Sequence, residues 1–370
     1  MLSDPPPKPL STPQLLARFS LIGAVPLALL AALAYTAGVL SPPSLTPGRF
    51  TTEFEKVNGL HPGFRRNHAK GVCATGFFAS NGNAAKISKA ALFPPTITPV
   101  IGRFAFSGGD PTVADAGPTV RSLAISFQLA DGETWRTAMV NIPVFIFPTP
   151  QDFYEQLISS APDPATSKPD PERIKNFFAI HPRSARALAI VKATAFSSGF
   201  DNATYNSLNA FRFIDANGVA TPVRWSFTPV LPFAPLPPPS PTPENKNYLF
   251  NALISSFQHQ KLQWHLILTI GQPSDSTSDS TIAWPDTREK IDAGILILDH
   301  IEAEGDDDHN CRDINFDPLI LPSGIAASDD PVLLARSGVY ARSFTRREGE
   351  PKTPSEVQIP ISLPTQGAAP

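Results

Sequence analysis

Cysteine and methionine are scarce in this sequence, with two residues of each among 370. Cys73 and Cys311 lie far apart and fit none of the short Cys/His spacings that are typical of structural metal sites. They leave open either one disulfide or two free thiols, so they do not identify the redox compartment. Strong net charge is also lacking. The formal net charge is −3 and neither half is strongly basic, which disfavours nucleic acid as a partner.

Charge is absent altogether from Phe19 to Leu40. A helix of about 20 apolar residues is long enough to cross the hydrocarbon core of a bilayer. Positive charge precedes this run, so we expect residues 1–18 to stay in the cytoplasm, residues 19–40 to form a transmembrane anchor and the rest to be exported. A cleaved signal peptide is the rival, since small residues suited to cleavage lie around Ala32 and Ala34, but the run is longer than the usual apolar region of such peptides.

Proline is abundant by contrast, at 42 residues, and is concentrated at both ends and in Pro229–Pro243. This composition predicts a linker at residues 41–50 and a disordered tail at residues 351–370. Residues 51–350 between them are long enough to bury a large core. We interpret Pro229–Pro243 as a surface excursion within this domain, because strand-like sequence resumes after it.

Strand-like stretches recur along the domain, some with hydrophobic side chains at period two and others simply apolar and β-branched. They include Thr96–Phe106, Val120–Leu129, Thr137–Phe147 and Leu262–Ile270. Thr149 and Asp170 each precede a proline, which marks the capped start of a helix. Many strands with helices inserted between groups of them predict an α+β fold, for which we expect a closed antiparallel barrel.

Two separate stretches carry residues suited to proton transfer and metal binding. His68 stands among cations in Arg65–Gly71 (RRNHAKG), and histidine readily takes and returns a proton near neutral pH. Arg336 and Tyr340 share one face of a late helix, four residues apart. A guanidinium favours the phenolate form of a neighbouring phenol, and a phenolate is a known axial ligand of haem iron. The alternatives are a basic surface strand and a surface Arg/Tyr contact.

Several blocks, taken together and in order, make the sequence similar to the haem catalase family. They are FRRNHAKG at Phe64–Gly71, GRFAFSGG at Gly102–Gly109, VNIPVF at Val140–Phe145, NAFRFIDANG at Asn209–Gly218, FDP with LPSGI within Phe316–Ile325, and RSGVY at Arg336–Tyr340. The resemblance spans most of the region from Thr51 to Arg347. It is strongest to the minimal members called catalase-related peroxidases, which are far shorter than ordinary catalases. It implies that residues 51–350 form a catalase-type antiparallel barrel with inserted and flanking helices, which binds haem b.

The resemblance also implies roles for individual residues on the two sides of the haem. His68 matches the distal acid and base, and Asn141 matches its hydrogen-bonding partner on the same side. Tyr340 matches the axial ligand of the iron, and Arg336 matches the residue that keeps this phenol ionised.

Three arginines match those that family members use to pair with the haem propionates, a role that suits the planar, bidentate guanidinium. They are Arg65, Arg103 and Arg347. Arg346 is the alternative to Arg347 if the match is displaced by one residue.

Two departures from the family pattern favour peroxidase over catalase chemistry. Catalases carry a hydroxyl residue two positions after the arginine that matches Arg103, and here that position is Ala105. The residue before His68 is Asn67 where the family has a small apolar residue. We therefore expect an imidazole without its hydroxyl partner, in a wetter and more open pocket. Such a pocket suits bulkier peroxides and a small organic electron donor, with weak catalase activity towards hydrogen peroxide.

The sequence leaves open two alternatives to a peroxidase. The same haem site could serve a hydroperoxide dehydratase that forms allene oxides, or the barrel could bind haem or another apolar ligand without turnover. For the peroxidase we expect a single-pass protein of the inner (cytoplasmic) membrane, in contact with the bilayer through residues 19–40, with the catalytic domain in the periplasm. A homo-oligomer is left open, and no nucleic acid is expected to bind.

Overall fold

We describe the protein from a computed structural model, which describes residues 10–36, 45–237, 245–305 and 311–359. Predictions that fall on residues 1–9, 37–44, 238–244, 306–310 and 360–370 lie outside it. The chain divides into two units, residues 1–46 and 47–370, which we treat separately.

In the first unit, the described residues 10–36 and 45–46 include one helix, α1, which runs from Thr12 to Thr36 with Pro26 inside it. From Thr12 to Tyr35 the mean hydropathy is 2.0, and none of the apolar window is buried. By length and composition α1 is able to cross a membrane, and a signal sequence near an N-terminus meets the same two criteria. The predicted anchor, residues 19–40, begins within this helix.

The second unit holds six α-helices, two short 3-10 helices and ten strands within its described residues. The helices are α2 (Pro47–Asn58), α3 (Pro150–Ser159), α4 (Pro171–Ile180), α5 (Pro182–Ala193), α6 (Tyr248–His259) and α7 (Pro331–Glu348). The strands are β1 (Gly71–Ser80), β2 (Ile97–Phe106), β3 (Arg121–Gln128), β4 (Thr134–Val140), β5 (Tyr205–Asn206), β6 (Phe211–Ile214), β7 (Ala220–Pro229), β8 (Leu262–Ile270), β9 (Lys290–Glu302) and β10 (Ile325–Ala327).

Eight of these strands close an antiparallel barrel in the order β1-β2-β3-β4-β5-β7-β8-β9, with β9 pairing back to β1. β6 pairs with β7, and β10 pairs with β6. The predicted α+β fold with a closed antiparallel barrel is confirmed. Closure pairs every barrel strand on both sides, which removes the exposed edges that open sheets must protect.

Aromatic side chains fill the barrel interior. Phe127 and Trp135 stack with ring centroids 4.9 Å apart, and Trp135 meets Trp225 edge-on at 5.1 Å. Such pairs contribute about 0.5–1.5 kcal/mol each beyond the area they bury. The wall is also tight: a Cβ added at Gly76 of β1 would lie 2.0 Å from the carbonyl oxygen of Ile297 on β9.

The helix starts predicted from the sequence are confirmed. Thr149 Oγ1 accepts a hydrogen bond from the backbone N–H of Asp152 at 3.1 Å, and Asp170 caps α4 in the same way. The strand predicted over Thr137–Phe147 is wrong in its second half, because β4 ends at Val140. Pro143, which has no N–H to donate to a ladder, follows soon after.

The predicted domain boundaries differ from the observed elements. The linker predicted for residues 41–50 overlaps α2, which begins at Pro47. The disordered tail predicted from residue 351 is wrong for residues 351–359, since Val357 is fully buried in the core and Asn247 Nδ2 donates to the Glu356 carbonyl at 3.0 Å.

Cys73 and Cys311 form a buried disulfide, with Cα atoms 5.4 Å apart. This settles the alternative that the sequence left open. Cys73 lies on β1 opposite Arg103 of β2, and the carbonyl of Cys311 accepts a hydrogen bond from Arg65 at 2.9 Å. The crosslink therefore ties the barrel wall to a segment that holds one of the predicted propionate arginines.

Candidate active site

A cavity of about 490 Å³ lies among α2, α3, α7 and the barrel strands β2, β3 and β4. Six of the seven residues predicted for the site line it: Arg65, His68, Arg103, Arg336, Tyr340 and Arg347. They come from the loop before β1, from β2 and from α7. The fold therefore brings together residues that lie more than 250 positions apart in the sequence.

His68 is held in an uncommon backbone conformation, with a φ of 58° in the left-handed region. Asn67 Oδ1 accepts hydrogen bonds from the N–H of His68 at 3.1 Å and of Gly108 at 2.8 Å. Arg103 Nη1 donates to the His68 carbonyl at 2.8 Å. Burial, followed by the charge of Arg103, lowers the pKa of His68 to about 3. The ring is therefore neutral at physiological pH and is able to accept a proton.

The neighbouring strand supplies the hydroxyl that is missing at Ala105. β2 and β3 pair with Ala105 directly opposite Ser122, and Ser122 Oγ lies 3.1 Å from His68 Nδ1. The expectation of an imidazole without a hydroxyl partner is therefore wrong. Ser122 was missed because nothing in the spacing along the chain connects it with His68; only the strand register does.

Asn141 follows β4 directly, between two residues that line the cavity, Val140 and Ile142, but it is not itself among the lining residues. Its Oδ1 accepts a hydrogen bond from the N–H of Arg121 at 2.8 Å, and its own N–H donates to the Arg121 carbonyl at 3.0 Å. Within the described chain, its Nδ2 donates no hydrogen bond. The role of Asn141 as a distal donor stays a prediction.

Arg336 and Tyr340 meet on α7 as their spacing predicts. Arg336 Nη2 donates to Tyr340 Oη at 3.1 Å, while its Nη1 donates to Asn209 Oδ1 at 2.8 Å. Asn209 Nδ2 in turn donates to Asp330 Oδ2 at 2.7 Å. These contacts fix the guanidinium so that its positive charge points at the phenol oxygen. The sequence reasoning gave Asn209 no role of its own, although it lies in one of the blocks that carried the resemblance.

The third part of the site is a cluster of guanidiniums, in which Arg103 and Arg347 are buried and Arg65 is half-buried. Glu304 accepts from Arg65 at 3.0 Å and from Arg103 through both carboxylate oxygens, at 2.7 and 2.9 Å. Burial opposes ionisation of Glu304, but the charges of Arg103 and Arg65 outweigh it and lower the pKa of the carboxyl to about 2. Glu304 lies outside every recognisable sequence block, which is why it was missed.

Arg347, not Arg346, belongs to this cluster. Arg347 is buried and donates to the backbone carbonyls of Arg312 and Ile314. Arg346 points away, and its guanidinium pairs with Glu55 of α2 at 2.7 Å. Of the two candidates, only Arg347 lines the cavity, and its pairing with a propionate stays a prediction.

Comparison with known proteins decides the family. Residues 54–368 match the family model of catalase. The chain belongs to the catalase family. It is 36% identical over 303 residues to a catalase-related peroxidase of Synechococcus elongatus, covering 82% of this chain and 89% of that protein. It is 29% identical over 306 residues to a catalase-related peroxidase of Mycolicibacterium paratuberculosis, covering 82% and 96%.

Larger catalases match less closely. Rat catalase is 25% identical over 343 residues, covering 89% of this chain and 64% of that protein. A fungal catalase structure matches with a TM-score of 0.69 at 20% identity, covering 78% of this chain and 60% of that one. A bacterial catalase structure matches with a TM-score of 0.68. This member of the family thus has the catalase fold in a chain that spans about three-fifths of those structures.

The catalase family binds haem, and the residues of this site fit that group. Three guanidiniums, Arg65, Arg103 and Arg347, meet one buried carboxylate, Glu304. Arg312, which is also buried, and Asp313 act on the same cluster, so four guanidiniums and two carboxylates leave a net charge of about +2, which is costly without further anions. The two propionates of a haem supply two negative charges. Tyr340 lines the same cavity, and its role as the iron ligand, which the family resemblance implies, stays a prediction.

Proposed function

We propose that this protein is a haem b peroxidase that reduces organic peroxides and hydrogen peroxide with electrons from a small organic donor, with weak catalase activity. The observation that carries the proposal is the meeting, in one cavity, of His68, a half-buried neutral base, and Tyr340, a phenol held by Arg336. The two relatives named catalase-related peroxidases, which match over most of their own length, support peroxidase chemistry.

Haem is held in this proposal by groups already in place. Tyr340 Oη would ligate the iron, and Arg336 Nη2, which donates a hydrogen bond to that oxygen at 3.1 Å, would hold it in place. Arg65, Arg103 and Arg347 pair with the propionates through charge-assisted hydrogen bonds. When bound, haem supplies an iron centre that takes two oxidising equivalents from a peroxide and passes them to a donor.

Proton transfer falls to the distal residues. His68 Nε2 takes the proton from one peroxide oxygen and delivers it to the other oxygen, which then leaves as water or as an alcohol. Asn141 Nδ2, which is not used elsewhere in the described chain, is the group proposed to donate a hydrogen bond to the oxygen on which charge develops.

Organic peroxides are favoured by the apolar part of the cavity wall. Five phenylalanines from α2, the loop after β4 and α3 line it: Phe50, Phe54, Phe145, Phe147 and Phe153. Apolar contact stabilises a bound hydrocarbon group by about 25 cal/mol per Å² removed from water. From the sequence alone, a preference for bulky substrates was expected because Ala105 lacks a hydroxyl. Since Ser122 supplies a hydroxyl beside His68, the preference rests instead on this apolar wall.

We further propose that the catalytic domain lies on the periplasmic side of the inner membrane, anchored in the bilayer through the apolar segment at residues 19–40. The disulfide between Cys73 and Cys311 supports an oxidising compartment, because disulfides are rare in reducing ones. Alkaline phosphatase fused after residue 359 is expected to be active, and an active cytoplasmic reporter at that position would contradict the topology.

Absorption spectra and peroxide turnover of purified variants test the function. The wild type is expected to carry high-spin ferric haem, and Tyr340→Phe to lose its tyrosinate features. His68→Ala is expected to keep haem but to lose about 10²- to 10⁴-fold in the rate of peroxide reduction with an aromatic donor. His265→Ala, which removes a half-exposed ring paired with Asp292, is the matched control.

Three results would count against the proposal. A haem-free wild type would end it. A His68→Ala variant with the turnover of wild type would favour a non-catalytic binding protein. A lipid hydroperoxide converted to an allene oxide, without consumption of donor, would favour the dehydratase.

A further inference from the structure

The hydrogen bonds of Ser122 concern not only the position of the His68 ring but also its protonation. Ser122 is buried, and its Oγ has two neighbours: His68 Nδ1 at 3.1 Å and the backbone carbonyl oxygen of Ala105 at 3.2 Å. A carbonyl oxygen only accepts hydrogen bonds, and a hydroxyl carries a single proton. The Ser122 proton is therefore directed to Ala105, and a lone pair of Oγ is left for the imidazole.

The directions of these two hydrogen bonds determine which ring nitrogen of His68 carries the proton. A lone pair at Ser122 Oγ requires an N–H at Nδ1, and a neutral imidazole has one N–H. Nε2 is then the unprotonated nitrogen. The neutral His68 ring is thus a base whose available lone pair is on Nε2.

The strand register explains how this chain keeps a hydroxyl at the site. Ala105 and Ser122 are direct partners across the β2–β3 pair, so side chains at the two positions lie on the same face of the sheet. A hydroxyl at either position is near the same imidazole. The loss of the hydroxyl at Ala105 is offset at Ser122, one strand away.

We propose that Ser122 is the positioning residue of His68, which fixes the neutral ring as the Nδ1–H tautomer and leaves Nε2 as the base for peroxide. The proposal rests on the peroxidase function for the use of that base, but not for the tautomer itself. Ser122 touches neither peroxide nor haem in this role and acts through the imidazole.

The direct test is the protonation of the ring nitrogens in protein loaded with zinc protoporphyrin, which is diamagnetic. Nitrogen-15 NMR of histidine-labelled protein, with His68 assigned by its absence in His68→Ala, is expected to show a protonated Nδ1 and an unprotonated Nε2 in the wild type. Ser122→Ala is expected to give a mixture of tautomers. A protonated Nε2 in the wild type, or an unchanged spectrum in Ser122→Ala, would overturn the proposal.

Kinetics of the haem enzyme give the second readout. In Ser122→Ala we expect kcat for peroxide to fall about 10- to 100-fold, as is typical when an orienting partner is removed, with haem content and KM close to wild type. Cyanide should bind more weakly, because hydrogen cyanide must give its proton to the distal base. Ser126→Ala is the matched control, since Ser126 is a buried serine on the same strand whose Oγ accepts from Gln128.

Rescue separates positioning from a merely structural role. The double variant Ser122→Ala with Ala105→Ser moves the hydroxyl across the strand pair and is expected to restore a single tautomer and most of kcat. A fall in kcat of equal size in Ser126→Ala would overturn the proposal, because any buried serine would then serve. If the tautomer is as expected while wild type shows no peroxidase turnover, the proposed function fails and the positioning role stands.

Discussion

Replacing Glu304 by glutamine tests most directly how much its ion pairs with Arg65 and Arg103 stabilise the folded protein. Its carboxylate is the counter-charge of a half-buried guanidinium, Arg65, at 3.0 Å, and of a buried one, Arg103, at 2.7 and 2.9 Å. The folded protein lowers the pKa of Glu304 from 4.5 to about 2. A difference of about 2.5 pH units at about 1.36 kcal/mol each corresponds to about 3 kcal/mol of stability.

The direction of the Glu304 pKa shift determines the pH range over which its carboxylate stabilises the folded protein. The pKa is lower in the folded protein, so the stabilisation is complete above pH 4.5 and is lost as the pH falls towards 2. At pH 7, Glu304→Gln should therefore lower the free energy of unfolding of the haem-free protein by about 3 kcal/mol, within the range for breaking a buried ion pair. Between pH 4.5 and 2, the difference between wild type and variant should shrink.

Urea unfolding followed by tryptophan fluorescence measures this, because all four tryptophans are buried in the folded chain. Glu289→Gln removes a largely exposed carboxylate 3.9 Å from Lys86 and should change stability by less than about 0.5 kcal/mol. Bound haem should lessen the loss in Glu304→Gln, since its propionates bring negative charge to the same guanidiniums. A loss below about 1 kcal/mol in haem-free protein would refute this account of Glu304.

Three further predictions concern pH, the disulfide and the barrel wall. Since the pKa of His68 is about 3, below its ordinary 6.5, the steady-state rate of peroxide reduction should stay level from pH 8 to 5, and an inflection near 6.5 would contradict this. Replacing Cys73 and Cys311 together by serine should lower the free energy of unfolding by about 2–5 kcal/mol in urea, and an unchanged midpoint would show that the crosslink is dispensable. Gly76→Ala should cost about 3 kcal/mol or more, seen as a lower Tm, because its Cβ would meet the Ile297 carbonyl oxygen at 2.0 Å; a normal Tm would mean that β1 and β9 move apart easily.

Features that depend on neighbours in the chain were predictable from the sequence. The caps at Thr149 and Asp170 were found because a capping side chain acts on backbone groups within three residues of itself. The contact between Arg336 and Tyr340 follows from helical periodicity alone. The family resemblance then pointed to His68, Arg65 and Arg103, since ordered blocks of sequence carry them; their roles stay predictions.

Features that depend on strand register and on barrel closure were not predictable. Ser122 reaches His68 because β2 and β3 pair with Ala105 opposite Ser122, and a shift of one residue would turn that side chain to the other face. Glu304 reaches Arg103 across a separation of 201 positions, which no local pattern encodes.

The sequence by itself determined which side chains are available to this protein: a histidine, a phenol four residues from a guanidinium, and arginines whose pairing with haem propionates stays a prediction. The tertiary structure decided how those side chains are arranged. It placed Arg347 rather than Arg346 in the buried cluster and directed Asn141 Oδ1 to the backbone of Arg121. It also supplied the hydroxyl beside His68 from another strand. The physical reason is that side-chain type is local, whereas burial and hydrogen-bond partners are set by which strands meet when the barrel closes.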